Sequence, residues 1–114
     1  MHYSTMRLNE RAALSGAFQA LGDPTRLSLV ERLSQGPRRV TELAEPFAMS
    51  LNAVSKHLKV LERAGLVKRT RQGREHILEL EPEPLQAVSR WASEQERFWR
   101  GKLDRLASHL KQRK

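Results

Sequence analysis

Cysteine is absent from this chain of 114 residues, aromatic side chains make up only 5% of it, and its apolar runs are all short. Each absence closes off some chemistry. Without thiols there are no disulfides, no thiolate metal sites, no haem attachment through Cys-x-x-Cys-His and no thiol redox switching. A membrane-crossing helix needs about 20 consecutive apolar residues, and the opening Met1-His2-Tyr3-Ser4-Thr5-Met6 lacks the basic and then apolar plan of a secretion signal. Catalytic signatures are missing too. The chain has no His-Glu-x-x-His and no Gly-rich phosphate loop, and its neighbouring carboxylates Glu94 and Glu96 fall on different helix faces. Neither enzymatic activity nor a cofactor is expected. The reading is of one soluble, cytoplasmic domain over residues 1–114, with 1–8 flexible. A domain of this length buries only about two-thirds of its unfolded surface, so a second subunit would add much of the missing burial.

What the chain has in abundance is positive charge, a formal +8, unevenly spread. Residues 1–50 carry a net +1, 51–74 a net +6, 75–96 a net −5 and 97–114 a net +6. Such a balance favours an anionic partner, nucleic acid above all. The basic tail ending Lys111, Arg113 and Lys114 reads as a solvated surface. The central basic stretch differs because its charges fall on one helix face and the hairpin after it.

Helical spacing organises the first half. Asn9 is placed to cap a helix with Leu14, Phe18 and Leu21 on one side and Ala13 and Ala17 beside them, closed by Gly22. Asp23-Pro24 reads as an N-cap followed by proline at the first helical position, with Leu27, Val30 and Leu33 as the next stripe and Gly36-Pro37 as its stop. Thr41 is placed to cap a short third helix carrying Leu43, Ala44 and Phe47, cut short by Pro46.

Ser50 is a good cap for a fourth helix, in which Leu51, Val54, Leu58 and Leu61 form the inward stripe and Gly65 the end. The opposite side presents Asn52, Ser55, Lys56 and Lys59. Next, Leu66–Arg71 and Glu75–Leu80 read as two strands joined at Gln72-Gly73-Arg74, where glycine supplies the positive φ of a tight hairpin. Pro82 and Pro84 form a hinge before a long last helix, Leu85 to Lys111. Its stripe of Val88, Ala92, Trp99, Leu103, Leu106 and Leu110, widened by Trp91 and Phe98, is too apolar to be left uncovered in a small monomer. Pairing with a second copy is the economical cover. Packing on the chain's own first helix is the alternative.

The pattern is mainly α with a small β-hairpin wing: five helices, with the hairpin between the fourth and the last, a winged helix-turn-helix. Double-stranded DNA suits it. A helix fits the major groove, where Asn52, Ser55, Lys56 and His57 reach base edges or phosphates; Arg69, Arg71 and Arg74 extend toward the backbone or the adjacent minor groove. Asparagine can pair bidentately with adenine, whereas Lys59 is a phosphate contact that adds affinity without sequence choice.

The residues that carry a resemblance are Ala20-Leu21-Gly22-Asp23-Pro24-Thr25-Arg26-Leu27, Val40-Thr41-Glu42-Leu43-Ala44, and Ser50 through Leu66, including Ala53-Val54-Ser55-Lys56-His57-Leu58-Lys59-Val60-Leu61 and Ala64-Gly65-Leu66-Val67. Over about residues 12 to 81 the chain resembles the ArsR/SmtB family of bacterial and archaeal repressors. The resemblance implies a winged-helix homodimer, joined through its first and last helices, that binds a palindromic operator and blocks transcription. By motif position it puts Asn52, Ser55, Lys56 and His57 where the family reads the major groove and Gln72 to Arg74 at the wing tip. The dimerisation set expected on the outer helices is Leu14, Phe18, Trp91, Phe98, Trp99, Leu103 and Leu106.

The family's metal sites do not carry over. Arg39 and Thr41 stand in place of the cysteine pair beside the third helix. The terminal-helix site needs an Asp/His pair and a His/Glu pair, but here the helix offers Trp91, Ser93, Glu94 and Glu96, with His109 isolated beyond. Zinc takes about four ligands in tetrahedral geometry, which the scattered His2, His57, His76 and His109 do not promise; no metal site is expected. Release from DNA is left to protein level or to an unidentified apolar effector in a crevice around Trp91, Phe98 and Trp99, plain dimer packing being the simpler use of those rings. The rival to an operator-binding regulator is a winged helix that docks a protein, or binds RNA, through its apolar terminal helix.

Overall fold

The computed structural model describes residues 7–112. Its order is α1 (Leu8–Leu21), α2 (Pro24–Leu33), β1 (Arg38–Arg39), α3 (Val40–Ala44), α4 (Leu51–Arg63), β2 (Val67–Gln72), β3 (Glu75–Leu80) and α5 (Pro82–Gln112). The helices and the β2–β3 hairpin expected from the sequence are present. Added to them is β1, which makes a three-stranded antiparallel sheet in the order β1-β3-β2. Its Arg38 and Arg39 stand opposite Leu78 and Ile77. Two residues are too few to show a strand period, so this pairing is set by the tertiary fold.

Caps explain where the helices begin. Asp23 is extended and its carboxylate accepts the Arg26 N–H at 3.1 Å, with Pro24 in the first turn. Ser50 likewise accepts the Ala53 N–H at 3.1 Å. Two expected caps move. α1 starts from Arg7 with no side-chain cap, and Asn9, within the helix, accepts only the adjacent Glu10 N–H. Leu8 is therefore helical, while residues 1–6, His2 included, lie outside the described residues. For α3 the cap position is Arg39, not Thr41, and the Glu42 carboxylate reaches back to the Arg39 N–H at 3.0 Å. Phe47 falls in the turn beyond α3.

The end of α4 is fixed in a different way. Gly65 takes φ 74°, its N–H donates to the Glu62 carbonyl, and the Leu66 N–H donates to the Leu61 carbonyl. This is a Schellman stop, with Leu61 and Leu66 both fully buried beside it. Leu66 is thus a plug rather than the first strand residue. The hairpin is tighter than expected as well. Gln72 pairs with Glu75, so only Gly73 and Arg74 turn the chain, and Gly73 alone takes positive φ, 63°. Pro82 and Pro84 sit in the first turn of α5, where missing N–H groups cost nothing, so they start that helix instead of forming a hinge before it.

The core lies under α4. Leu29, Leu33, Leu43, Val54, Leu58, Leu61, Leu66 and Leu78 are its main buried side chains, joined by Ala17 and Ala20 of α1. Two stripe residues are corrected: Leu27 is 47% exposed and Leu51 is 50% exposed, and in α2 it is Leu29 that fills the core. α5 buries none of its side chains. Its first half lies along α1, with Trp91 edge-on to Phe18 at 5.2 Å, while every side chain from Glu96 to Gln112 is exposed. The helix therefore projects, and the molecule is 67 Å in its longest dimension against 33 and 21 Å in the others.

Candidate nucleic-acid interface

With Val54, Leu58 and Leu61 turned into the core, the 100° step of an α-helix sends Asn52, Lys56 and Lys59 to the opposite side, and all three are exposed. Ser55 lies at the edge of that face, half-buried. Arg63 shares the exposed face, one turn beyond Lys59. Arg63 is absent from the contact set expected from the sequence, although the 3.6 period of α4 puts it on the same face. Four polar positions along about three turns can meet a groove without disturbing the core, because the two faces of α4 share no residue.

At the C-terminal end of α4 the wing is bolted on by a forked ion pair. Arg69 of β2 donates from Nε and Nη2 to the two Glu62 oxygens at 3.0 and 2.9 Å, both side chains being three-quarters covered. Such bidentate geometry is the strong form of the pair. Arg69 is thus committed to Glu62 and fixes the base of the wing. Farther out, Arg71, Gln72 and Arg74 are exposed, and Arg71 Nε donates to the Gly73 carbonyl at 3.0 Å across the turn. Arg39 ties the opposite edge, reaching Glu42 of α3 at 3.1 Å and Glu75 of β3 at 2.9 Å. Hydrogen bonds to these carboxylates, Glu75 first, raise the Arg39 pKa above its ordinary value.

His57 is placed differently from its neighbours. Its side chain is 22% exposed, and Nδ1 lies 3.1 Å from Arg26 Nη1 and 3.7 Å from Asp23 Oδ2. The Asp23 carboxyl is held below the ordinary carboxylate range, chiefly by the hydrogen bond from the Arg26 backbone N–H, against a smaller opposing effect of burial.

On the dimerisation set, Leu14 is buried within the chain, while Phe18, Phe98, Trp99, Leu103 and Leu106 are exposed. A cleft of about 410 Å³ beside Trp91 is lined by Arg11, Leu14, Ser15, Phe18 and Gln19 of α1. Phe98 and Trp99 instead form their own edge-on pair at 5.9 Å, with the Lys102 ammonium over both rings. Among the described residues, no group of three or more His, Cys, Asp or Glu side chains is arranged to hold a metal ion. None of the described helices is long and apolar enough to cross a membrane.

A two-helix reading unit, a buried scaffold behind it and a basic hairpin at its side define a winged helix-turn-helix, and relatives carry the same plan. A helix-turn-helix domain model matches residues 21–70. The HTH-type transcriptional regulator Rv2034 of Mycobacterium tuberculosis is 43% identical over 96 residues, covering 84% of this chain and 82% of that protein. The transcriptional repressor SdpR of Bacillus subtilis is 30% identical over 78 residues, or 68% of this chain and 87% of its own length. The crystal structure of an ArsR family transcriptional regulator matches with a TM-score of 0.72 and 44% identity over 79% of this chain and 93% of that one. The chain belongs to the ArsR/SmtB family of winged helix-turn-helix proteins, and it is a DNA-binding transcriptional regulator. That class works by binding and carries out no catalytic step.

Proposed function

We propose that the protein acts as a homodimer that binds an inverted-repeat operator and represses transcription, without serving as a classical metal sensor. The observation that carries this reading is the exposed face of α4, where Asn52, Lys56 and Lys59 stand clear of a fully buried apolar stripe. Asn52, Ser55 and Lys56, with His57 beside them, meet base edges and phosphates in the major groove. Lys59 and Arg63, with Arg71, Gln72 and Arg74 of the wing, meet phosphates, and Arg69 serves by holding the wing in place. The exposed stripe of α5, with Phe18 of α1, is covered by the second copy. Two α4 helices then sit roughly one DNA turn, about 34 Å, apart. The similarity to a protein named as a repressor, SdpR, supports the sign of the regulation.

The test is the purified protein against its own upstream DNA and a scrambled duplex of equal length at about 150 mM salt, with and without zinc and chelator. Specific binding indifferent to both additions, and falling steeply with salt as phosphate-led recognition requires, is the expected result. Binding lost on adding zinc would overturn the metal-independent reading. Absence of specific duplex binding, with RNA or a protein captured through α5 instead, would favour the interaction module.

A further inference from the structure

Arg26 spans three elements with one guanidinium. Its Nε donates to the Ala20 carbonyl, and Nη2 lies 3.5 Å from that of Gln19, both in the last turn of α1. Its Nη1 lies 3.1 Å from Nδ1 of His57, midway along α4. Ala20 is among the last four residues of α1, whose carbonyls have no partner within the helix. Arg26 supplies one and, with its other arm, reaches the reading helix.

The chemistry of the contact is one-sided. A guanidinium has donors only and keeps its proton, so the ring nitrogen facing it must offer a lone pair. The competing acceptor, Asp23 Oδ2, stands 3.7 Å from the same Nδ1, beyond hydrogen-bond reach. The contact is a hydrogen bond only with Nδ1 as the acceptor, which puts a single ring proton on Nε2. Among the described residues Nε2 has no protein partner. On α4, between Lys56 and Leu58, that arrangement leaves Nε2 with an N–H to give.

We propose that Arg26 is a positioning residue for operator reading: it fixes His57 as the Nε2–H tautomer, a donor for an acceptor atom on the operator, and it holds α4 to the end of α1. This rests on the operator-binding reading above. The role differs from that of Lys56 or Lys59 because Arg26 acts through another side chain and adds no counterion release of its own.

Two readouts separate these roles. The first is the histidine ring 15N spectrum of the free protein near pH 8, where an ordinary imidazole is neutral. The wild type is expected to show His57 with its proton on Nε2, and Arg26→Met a mixture of tautomers. A wild-type proton on Nδ1, or the same tautomer in both proteins, would overturn the proposal. The second is operator affinity in Arg26→Met, His57→Ala and the double variant. Each single change is expected to weaken binding about tenfold, and the double change no further. The slope of affinity against salt is expected to stay at its wild-type value. Additive losses with a shallower slope would make Arg26 a phosphate contact and overturn the proposal. If the wild type bound no operator, the operator reading would fail by itself, and the ring spectrum would still decide whether Arg26 sets the tautomer. Should Arg26→Met fail to fold, the wild-type spectrum and His57→Ala binding at unchanged dimer mass carry the test, unchanged affinity in His57→Ala overturning it.

Discussion

α4 and the far half of α5 are written in the same alphabet, an apolar stripe with basic residues around it, yet the fold treats them oppositely. Val54, Leu58 and Leu61 of α4 are fully buried, whereas Trp99, Leu103, Leu106 and Leu110 of α5 are 53 to 59% exposed. A stripe satisfied within the chain frees the other face of its helix for a ligand; a stripe left open is, under the homodimer proposal, the face that a second copy covers. The difference lies in position. α4 is enclosed by α2, α3 and β2, while α5 outruns the 14 residues of α1 by more than half its own 31. At about 1.5 Å per residue, the far half projects beyond anything in its own chain that could cover it. The spacing of Trp99, Leu103, Leu106 and Leu110, at four, three and four, is that of a coiled-coil seam.

The largest effect should come from breaking the buried stripe. Leu58→Ala is expected to cost about 2–5 kcal/mol in chemical denaturation, as for other enclosed leucines. Leu110→Ala, exposed in the chain, should cost far less at protein concentrations too low for association. Equal losses at the two sites would erase the contrast. On the free face of α4, Asn52→Ala should cost about 1–3 kcal/mol of operator affinity and relax the preference at one base pair per half-site. Competition binding against single-base operator variants checks both parts. A uniform loss across all variants would reduce Asn52 to a backbone contact.

A smaller effect is expected at the cap of α2. The Asp23 carboxyl titrates below its ordinary value in the folded chain, chiefly because it accepts the Arg26 N–H. A folded pKa below the unfolded one stabilises above the ordinary carboxylate range and is lost as pH falls through the depressed value. Asp23→Asn keeps a good cap but removes the titration, so its stability should fall less between neutral and acid pH than that of the wild type. Parallel acid limbs in thermal melts of the two proteins would contradict this.

Much of the fold was legible in the sequence because its signals are local. Asp23-Pro24, Ser50 and Gly73 each announce a cap or turn within a few residues, and the 3.6 period of α4 sorts core from surface at every stripe position but Leu51, which lies exposed in the first turn. What could not be read is what depends on distant partners. β1 exists because β3 offers it an edge. Leu29 takes the core position that spacing assigned to Leu27, a matter of how α2 is rotated against α4. The candidate site divides the same way: Asn52, Lys56 and Arg74 stand exposed on the face or hairpin where periodicity put them. His57 and Arg69 are engaged by Arg26 and Glu62, 31 and 7 residues away in sequence. Basic character alone could not show that Arg69 is spent on a brace.

The most direct test of the account concerns the open stripe of α5. The mass in solution of the wild type and of Leu103→Glu/Leu106→Glu should be measured by light scattering at micromolar concentration, with operator binding assayed on the same samples. The account predicts twice the 13.1 kDa chain mass for the wild type, and for the variant a folded monomer that has lost specific binding but keeps weak, salt-sensitive affinity for any duplex. A monomeric wild type, or a monomeric variant that still binds the operator specifically, would contradict it.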